Sequence, residues 1–528
     1  MAALVLGIDV GTTSTKVVLA DPAAGVVAQA SEPVALSSPH PGWAEADPAQ
    51  WWANLAALVP AVLAAASAAS GEHITAADIA AVATTGMVPA VIPVDHDGRP
   101  LRGAILQNDA RATTEIRELA AALPDLDFVA RTGSALTQQS VGPTLLWLAR
   151  HEPDAWAAAA TVQGSYDWLA TRLGAAPQVE RNWALESGLF ELEPDGALTP
   201  LHPVRDALAS LAGIKPEVIP PVADPGTVIG AVSRGAAAET GLRPGTPIVA
   251  GGADHVLSAY AAGLASPGDW LVKLGGAGDI LVVSGYPLVD ERLYLDAHPV
   301  TGLWLPNGCM ATSGSLIRWF QSVSGTAANP VPVAELEAEA IAARGAELIC
   351  LPYFLGEKSP LHDPDLRGAF LGLHLGHTRG DLYRSILEGI AYGFRHHAEI
   401  FAERRVALRP TARVSNGGSK SVVWKQILAD ALGVALEPVL DHPGAALGAA
   451  LAAAVGTGAG GTGAGGTGTP PPQAWAAAAS VPGMVTIGAP IEPDPAHAAR
   501  YAEAYQVYRD AGAALTPISH RLATRRTS

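Results

Sequence analysis

Gly7-Ile8-Asp9-Val10-Gly11-Thr12-Thr13 joins two apolar runs, Leu4 to Ile8 before it and the β-branched stretch Thr15 to Ala20 after it. An unbroken apolar run of this length suits a buried strand, and Asp, Gly and Thr between two such runs are turn formers. Gly25 to Ala30 reads as a third short strand, so the chain opens as an antiparallel meander rather than a strand–helix–strand unit. A helix follows, with Asp47 as its cap, Pro48 at its first position and Trp51, Leu55, Leu58 and Leu63 on its apolar face. Ile79 to Thr84 and Ala90 to Val94 are further strands, the latter entering a hairpin turn at Asp95-His-Asp-Gly98. Strand and helix signals alternate to about residue 250.

The opening pattern recurs half a chain later. Asp269-Trp-Leu-Val-Lys-Leu-Gly-Gly-Ala-Gly-Asp-Ile-Leu-Val-Val-Ser284 is again apolar strand, small-residue turn, apolar strand. Two similar halves, each opening with a hairpin that presents a Gly-rich turn, would produce this echo; two unrelated hairpins would produce it too. Arg413 to Ser419 reads as a strand feeding a helix from Ser421 to about Leu432. Gly456 to Gly468, nearly all Gly, Thr and Ala, with Pro470-Pro-Pro472 after it, has no side chains to build a core and reads as a flexible loop or linker. From Asp494 onward Ala496, Tyr501, Tyr505 and Tyr508 mark a packing helix, and Arg525 and Arg526 fall in a terminal tail.

Composition narrows the function classes. The 528 residues carry 33 Lys+Arg against 50 Asp+Glu, a net charge of −17, which argues against a nucleic-acid or anionic-membrane surface. With 49% hydrophobic and 16% charged residues the chain is globular in composition, and its length is that of about two to four domains. Cys309 and Cys350 allow one bridge at most and no multi-thiolate metal site. There is no run of 18 apolar residues to span a bilayer and no positive leader before Asp9, so a soluble cytoplasmic protein is expected.

Several stretches have the residue types for phosphate chemistry. Asp9 ends a buried strand; the turn Gly11-Thr12-Thr13 after it can face phosphate oxygens while the carboxylate orients a hydrated Mg²⁺, and equally it is an ordinary hairpin turn. Gly275-Gly-Ala-Gly278 offers a second close backbone approach, or simply a tight hairpin. Gly417-Gly-Ser-Lys420 precedes a helix, where free N–H groups favour an anion or cap the helix. Asp254, after Ile248-Val-Ala-Gly-Gly-Ala253, is placed for a general base or a helix cap, with His255 beside it. Met87 and Gln107-Asn108-Asp109 are weaker candidates. Three Gly-rich turns and two strand-end carboxylates in two halves form the inventory of phosphoryl transfer to a small polar acceptor. No Gly-x-x-x-x-Gly-Lys-Ser/Thr and no protein-kinase signature occurs.

Taken together, Gly7–Thr13, His40-Pro-Gly-Trp43, Asp47-Pro-Ala-Gln-Trp-Trp52, Asn108-Asp-Ala-Arg111, Gly251–Asp254, Gly356-Glu-Lys-Ser-Pro360, Leu387-Glu-Gly389 and Gly417–Trp424 resemble, in order, the FGGY carbohydrate kinases, xylulokinase-like members above all. The resemblance runs from Leu4 to about Val455. It implies an α/β fold of two ribonuclease-H-like, actin-like ATPase domains flanking a central cleft: residues 1–256 on the sugar side and 257–455 on the ATP side, with a flexible loop at 456–473 and an appendage at 474–528. It implies Asp254 as general base, Asp9 as the carboxylate near Mg²⁺, and ATP held by Gly11, Thr12, Thr13, Gly275, Gly276, Gly278, Gly417, Gly418 and Ser419, with Trp424 in the adenosine region. Met87, Asn108, Asp109, Asp254 and His255 fall in the sugar pocket, and a homodimer is common in such enzymes. The chain departs from the pattern in four places. The second phosphate loop lacks two hydroxyl residues, having Gly276 and Ala277. Val88 and Gln107 stand where His and Trp are usual, and His255 where Asn or Gln is. A ketopentose such as xylulose or ribulose is the expected acceptor; the departures leave a tetritol, tetrulose or modified sugar, or a sensor without turnover, as alternatives.

Overall fold

The computed structural model describes residues 3–459, 468–479 and 484–524. In the first half β1 (Leu4–Val10), β2 (Ser14–Asp21) and β3 (Gly25–Pro33) form the expected meander, and α1 (Pro48–Ser70) begins behind Asp47, whose carboxylate accepts the Ala49 N–H. Then come β4 (Ile79–Gly86), α2 (Arg181–Glu186), β5 (Val228–Ala231), β6 (Pro247–Ala253) and α3 (Asp254–Ala261). The second half contains β7 (Trp270–Leu274), β8 (Gly278–Val282), β9 (Tyr294–Ala297), β10 (Trp304–Met310), α4 (Gly314–Ser324), α5 (Arg379–Glu403), β11 (Thr411–Ser415), α6 (Val422–Leu432), β12 (Ala435–Leu440), α7 (Ala445–Thr457), β13 (Thr486–Ile487) and α8 (Ala498–Thr524).

The echo in the sequence is a structural repeat. The first sheet runs β5-β6-β4-β1-β2-β3 and the second β9-β10-β8-β7-β11-β12-β13. In each, an antiparallel meander (β3-β2-β1; β10-β8-β7) continues into two parallel strands (β4, β6; β11, β12) and ends on an antiparallel edge strand (β5; β13). This is the two-domain actin-like ATPase architecture. Buried parallel strands need cover on both faces. On the first sheet α1 supplies part of it through Trp51, Leu55, Leu58, Val59 and Val62. Among the described helices α1 is long and apolar enough to cross a bilayer, but that face is packed into the core.

The halves are joined by α7. It follows β12 of the second sheet yet packs on Val5, Ala81, Ala83 and Val249 of the first. Its Ala-rich sequence is buried from Ala445 to Gly456. Close backbone approach is the reason for small residues here: a Cβ on Gly7 would overlap the Ala446 carbonyl, and one on Gly448 the Leu257 carbonyl. The Tyr501, Tyr505 and Tyr508 side chains of α8 are buried against the second core, as its periodicity predicted.

Three boundaries differ from expectation. The 413–419 strand ends at Ser415, because Gly417–Lys420 turns into a 3₁₀ helix before Ser421 caps α6 at the Trp424 N–H. The strand expected from Ala90 covers only Ile92–Val94. The Gly/Thr/Ala tract starts inside α7, which runs to Thr457; residues 460–467 of the tract, like the tail containing Arg525 and Arg526, lie outside the described residues. Cys309 and Cys350 are both free thiols.

Candidate active site

Ligands in open α/β sheets meet the carboxyl ends of parallel strands. In the first sheet those ends are level: Val10 of β1 pairs with Gly86 of β4, which pairs with Ala253 of β6. Asp9, Met87 and Asp254 therefore come to one edge. In the second sheet the corresponding edge carries the turn at 275–277, the Gly417–Lys420 helix and the loop between β12 and α7.

Between the two edges is a cleft of about 970 Å³ lined by Asp9 and Asp254 from the first half and by Lys273, Ser419, Lys420 and Lys425 from the second, with Lys16 at the side. Asn416 and Lys420 also line an adjoining cavity of about 600 Å³, bounded by Gly275, Gly276, Gly417, Gly418, Arg318 and Trp424. The Trp424 ring is buried, and a Cβ on Gly418 would collide with it, so glycine there lets the backbone lie against the indole. Asn416 has a positive φ of 71° at the junction of the two cavities.

The electrostatics are arranged around the carboxylates. Asp9 is pushed up to about 7, by burial first and by the neighbouring Asp254 second, and its Oδ1 is buried without a partner. For Asp254 burial opposes the charge, but contact with His255 and the proximity of Lys273 prevail and hold it below the usual carboxylate range. It is not a helix cap: Asp254 is the first residue of α3, and its Oδ1 accepts the His255 N–H at 2.5 Å. The His255 ring lies between two acids, with Nδ1 3.4 Å from Asp254 Oδ1 and Nε2 2.7 Å from Asp296 Oδ2.

Other expected residues fall into different settings. Gly275 and Gly276 line the Trp424 cavity, and their carbonyls are held by Gly314, Ser313 and Ser315 at the start of α4. Gly278 does not reach it: it is buried as the first residue of β8, and its missing side chain makes room for Phe394. Gly11, Thr12 and Thr13 form the turn next to Asp9, closed by a Gly11 N–H to Ser14 carbonyl bond. The Ser419 hydroxyl donates to the Asn416 carbonyl at 2.7 Å. Met87 is buried just beyond β4, and its carbonyl accepts from Ser165. Asn108 is exposed, while the Gln107 Oε1 beside it is buried without a partner. Asp109 is already occupied, accepting from the Ala44 N–H at 2.6 Å and from the Arg111 guanidinium at 2.7 and 2.9 Å. Arg111 in turn stacks on Trp43, so Asp109 acts as an anchor of this corner rather than as a free ligand.

Sequence reading missed the cations. Lys16, Lys273, Lys425 and Arg318 come from separate elements, and only one signal pointed to any of them: Lys273 occupies in the second hairpin the place Asp9 has in the first. Carboxylates on one wall and ammonium groups on the other suit a polyphosphate with its metal ion held against an acceptor.

Residues 4–261 match the N-terminal domain and residues 286–457 the C-terminal domain of the FGGY family of carbohydrate kinases. The xylulose kinase of Escherichia coli K12 is 28% identical over 453 residues, 85% of this chain and 88% of that protein. The L-xylulose/3-keto-L-gulonate kinase of the same organism is 30% identical over 465 residues, 86% and 88% of the two chains. The crystal structure of xylulose kinase from Rhodospirillum rubrum is 43% identical and superposes with a TM-score of 0.84 over 98% of this chain and 100% of that one. Both halves match in order around a cleft of opposed acids and lysines, and the chain belongs to the FGGY family of carbohydrate kinases, enzymes that phosphorylate sugars at the expense of ATP.

Proposed function

We propose that the enzyme transfers the γ-phosphate of Mg-ATP to a terminal hydroxyl of a small ketose, a ketopentose of the xylulose type, with Asp254 as general base. The observation that carries this reading is the pairing of an ionised Asp254 with the lysine-lined wall across the same cleft. A carboxylate kept in its charged form at neutral pH is ready to accept the acceptor's proton as that oxygen attacks phosphorus. Lys273, Lys420 and Lys425 would hold phosphate oxygens, Gly275 and Gly276 would approach them through the backbone, and Trp424 with Gly417 and Gly418 would receive the adenosine. The Gly11–Thr13 turn would adjoin the phosphates from the opposite side.

The metal site fits Asp9. One buried carboxylate oxygen has no hydrogen-bond partner, and the pKa stays raised although Lys16 and Lys273 lie near; a hard divalent cation is a partner that such oxygen donors accept. Bound Mg²⁺ would screen the β/γ-phosphate charge. On the sugar side, an acceptor hydroxyl would satisfy the orphaned Gln107 Oε1, which keeps tetruloses and tetritols among the acceptors to test.

We assign residues 1–256 to the sugar side and 257–455 to the nucleotide side, with a cytoplasmic setting and a homodimer as the assembly to test by light scattering. The net charge of −17 supports neither a nucleic-acid nor a membrane partner. The deciding experiment is an ADP-release assay with Mg-ATP against D- and L-pentuloses, tetruloses, hexuloses and polyols, with Asp254→Asn beside the wild type. A ketopentose turned over by the wild type and not by the variant is expected. Wild-type rates in Asp254→Asn would refute the base assignment, and preference for another acceptor class would refute the substrate.

A further inference from the structure

His255 is held on both sides by acids. Its Nε2 is 2.7 Å from Asp296 Oδ2 on β9, and its Nδ1 is 3.4 Å from Asp254 Oδ1. A neutral imidazole has one N–H and one lone pair; with Nε2 hydrogen-bonded to one carboxylate and Nδ1 within ion-pair distance of another, the imidazolium, in which both nitrogens are donors, is the form that matches both neighbours. Asp296 is itself fixed: its side chain is 3% exposed, and Oδ2 also accepts from Asn307 on β10 at 2.8 Å. Glu186, at the end of α2, completes the group, with ligand atoms of Glu186, His255 and Asp296 within 4.8 Å of one another. Glu186 Oε1 and Asp296 Oδ1 are both buried without partners. Two such carboxyl groups side by side are relieved when one keeps its proton or a cation stands beside them.

We infer that His255 is a positioning residue for the base: as an imidazolium braced by Asp296 and Glu186, it holds Asp254 by Oδ1, so that the other oxygen of that carboxylate is the one presented to the acceptor hydroxyl. This rests on the reading of Asp254 as the base. From the cleft inward the groups then run Asp254, the His255 cation, Asp296 and Glu186, whose burial favours its protonated form. Burial opposes charge on the His255 ring, yet Asp296 and Asp254 outweigh it and keep the ring protonated well above the ordinary range, while burial and Asp296 push Glu186 up. The other charged groups that bear on this chain are Lys273 on β7 and Asp9 on β1, acting on Asp254, and Glu180 just before α2, which interacts with Asp296. In the reaction the acceptor O–H breaks, its proton goes to the free oxygen of Asp254, and the hydroxyl oxygen forms the new bond to phosphorus as the bond to ADP breaks. The imidazolium keeps its own protons throughout.

The test begins on the unmutated protein. ¹⁵N NMR of histidine-labelled enzyme, with His255→Gln to assign the signal, should show both His255 ring nitrogens protonated at pH 8. In Asp296→Asn the ring should titrate at lower pH. His255→Gln should lower kcat about 10- to 100-fold with both KM values within about threefold, as expected for a misoriented base. The acid limb of its kcat/KM profile should move up by about one pH unit, because the cation favouring ionised Asp254 is gone. Asp296→Asn should shift both in the same direction. A neutral His255 at pH 8, a raised sugar KM with kcat preserved, or a stoichiometric metal ion lost in Asp296→Asn would each overturn the inference. Asp254→Asn separates the two readings: if it is inactive while His255→Gln behaves as wild type, only the positioning role fails; if it turns over normally, the base itself is wrong.

Discussion

The two hairpins that open the halves share a ladder and differ in charge at the same rung. In the first, Asp9 on β1 faces Lys16 on β2; in the second, Lys273 on β7 faces Asp279 on β8. Both rungs stand one step before the last pair of their hairpins, Val10–Thr15 and Leu274–Gly278. Because the sheets repeat one strand order, Asp9 and Lys273 occupy equivalent positions, and both line the cleft. The scaffold thus offers two matched positions whose side chains differ in what they can hold. On one wall a carboxylate suits a cation, and on the other an ammonium group suits phosphate.

Removing the acid should break this division most severely. Asp9→Asn is expected to lower kcat about a thousandfold, the several kcal/mol that a positioned metal ion supplies. The same variant should melt higher than the wild type in metal-free buffer at neutral pH. The sign follows from linkage: Asp9 releases its proton near 3.8 when unfolded and near 7 when folded, so its contribution to stability is whole below about pH 4 and is lost as pH rises towards 7. Melting curves from pH 4 to 8 should therefore show the advantage of Asp9→Asn growing with pH, and Mg²⁺ should raise the wild type alone. A variant with equal stability at all pH values would contradict the raised pKa of Asp9 from which this sign is drawn.

On the opposite wall, Lys273→Met should cut kcat/KM for ATP by about 10- to 100-fold while leaving the sugar KM within about twofold, the loss of one charge-assisted contact. Equal effects on both substrates would mean that the two rungs do not divide the work. Between the walls, Gly448→Ala tests the joint: the added methyl meets the Leu257 carbonyl, and overpacking of this kind costs about 1–3 kcal/mol, measurable by urea unfolding. The smallest change adds a hydroxyl to the second turn. A Cβ at Gly276 would meet only the far end of the Arg318 side chain at 3.2 Å, so Gly276→Ser should be tolerated. One new hydrogen bond of about 0.5–1.5 kcal/mol should lower the KM for ATP by about two- to tenfold. An unchanged or higher KM would mean that the phosphates do not pass this turn.

Much of the fold was legible because its signals are local. The meander, the Asp47 cap, the strand end at Asp254 and the Tyr-lined final helix follow from periodicity and turn chemistry over a few residues. At the site, strand-end acids and Gly-rich turns are local signals, whereas the setting of each side chain depends on distant neighbours. Asp109 has the look of a ligand in sequence, but Arg111 and the Ala44 N–H occupy it. Gly278 has the look of part of a phosphate turn, but it makes room for Phe394 from α5. The strand before Gly417 is shorter than its sequence suggests, because Gly417–Lys420 turns into a 3₁₀ helix.

What the sequence determined by itself was the order of the elements and the residue types at the two strand ends, while the echo of the opening hairpin became a repeat only in the strand order of the two sheets. Tertiary structure alone decided that Asp9 shares a cleft with Lys273 and Lys425, that His255 stands between Asp254 and Asp296, and that an alanine-rich helix from one half seals the sheet of the other. The reason is one of range. Hydrogen-bond patterns and hydrophobic periodicity act between near neighbours in the chain, whereas Coulomb interaction and desolvation depend on distance and burial in space, which only the packed fold specifies.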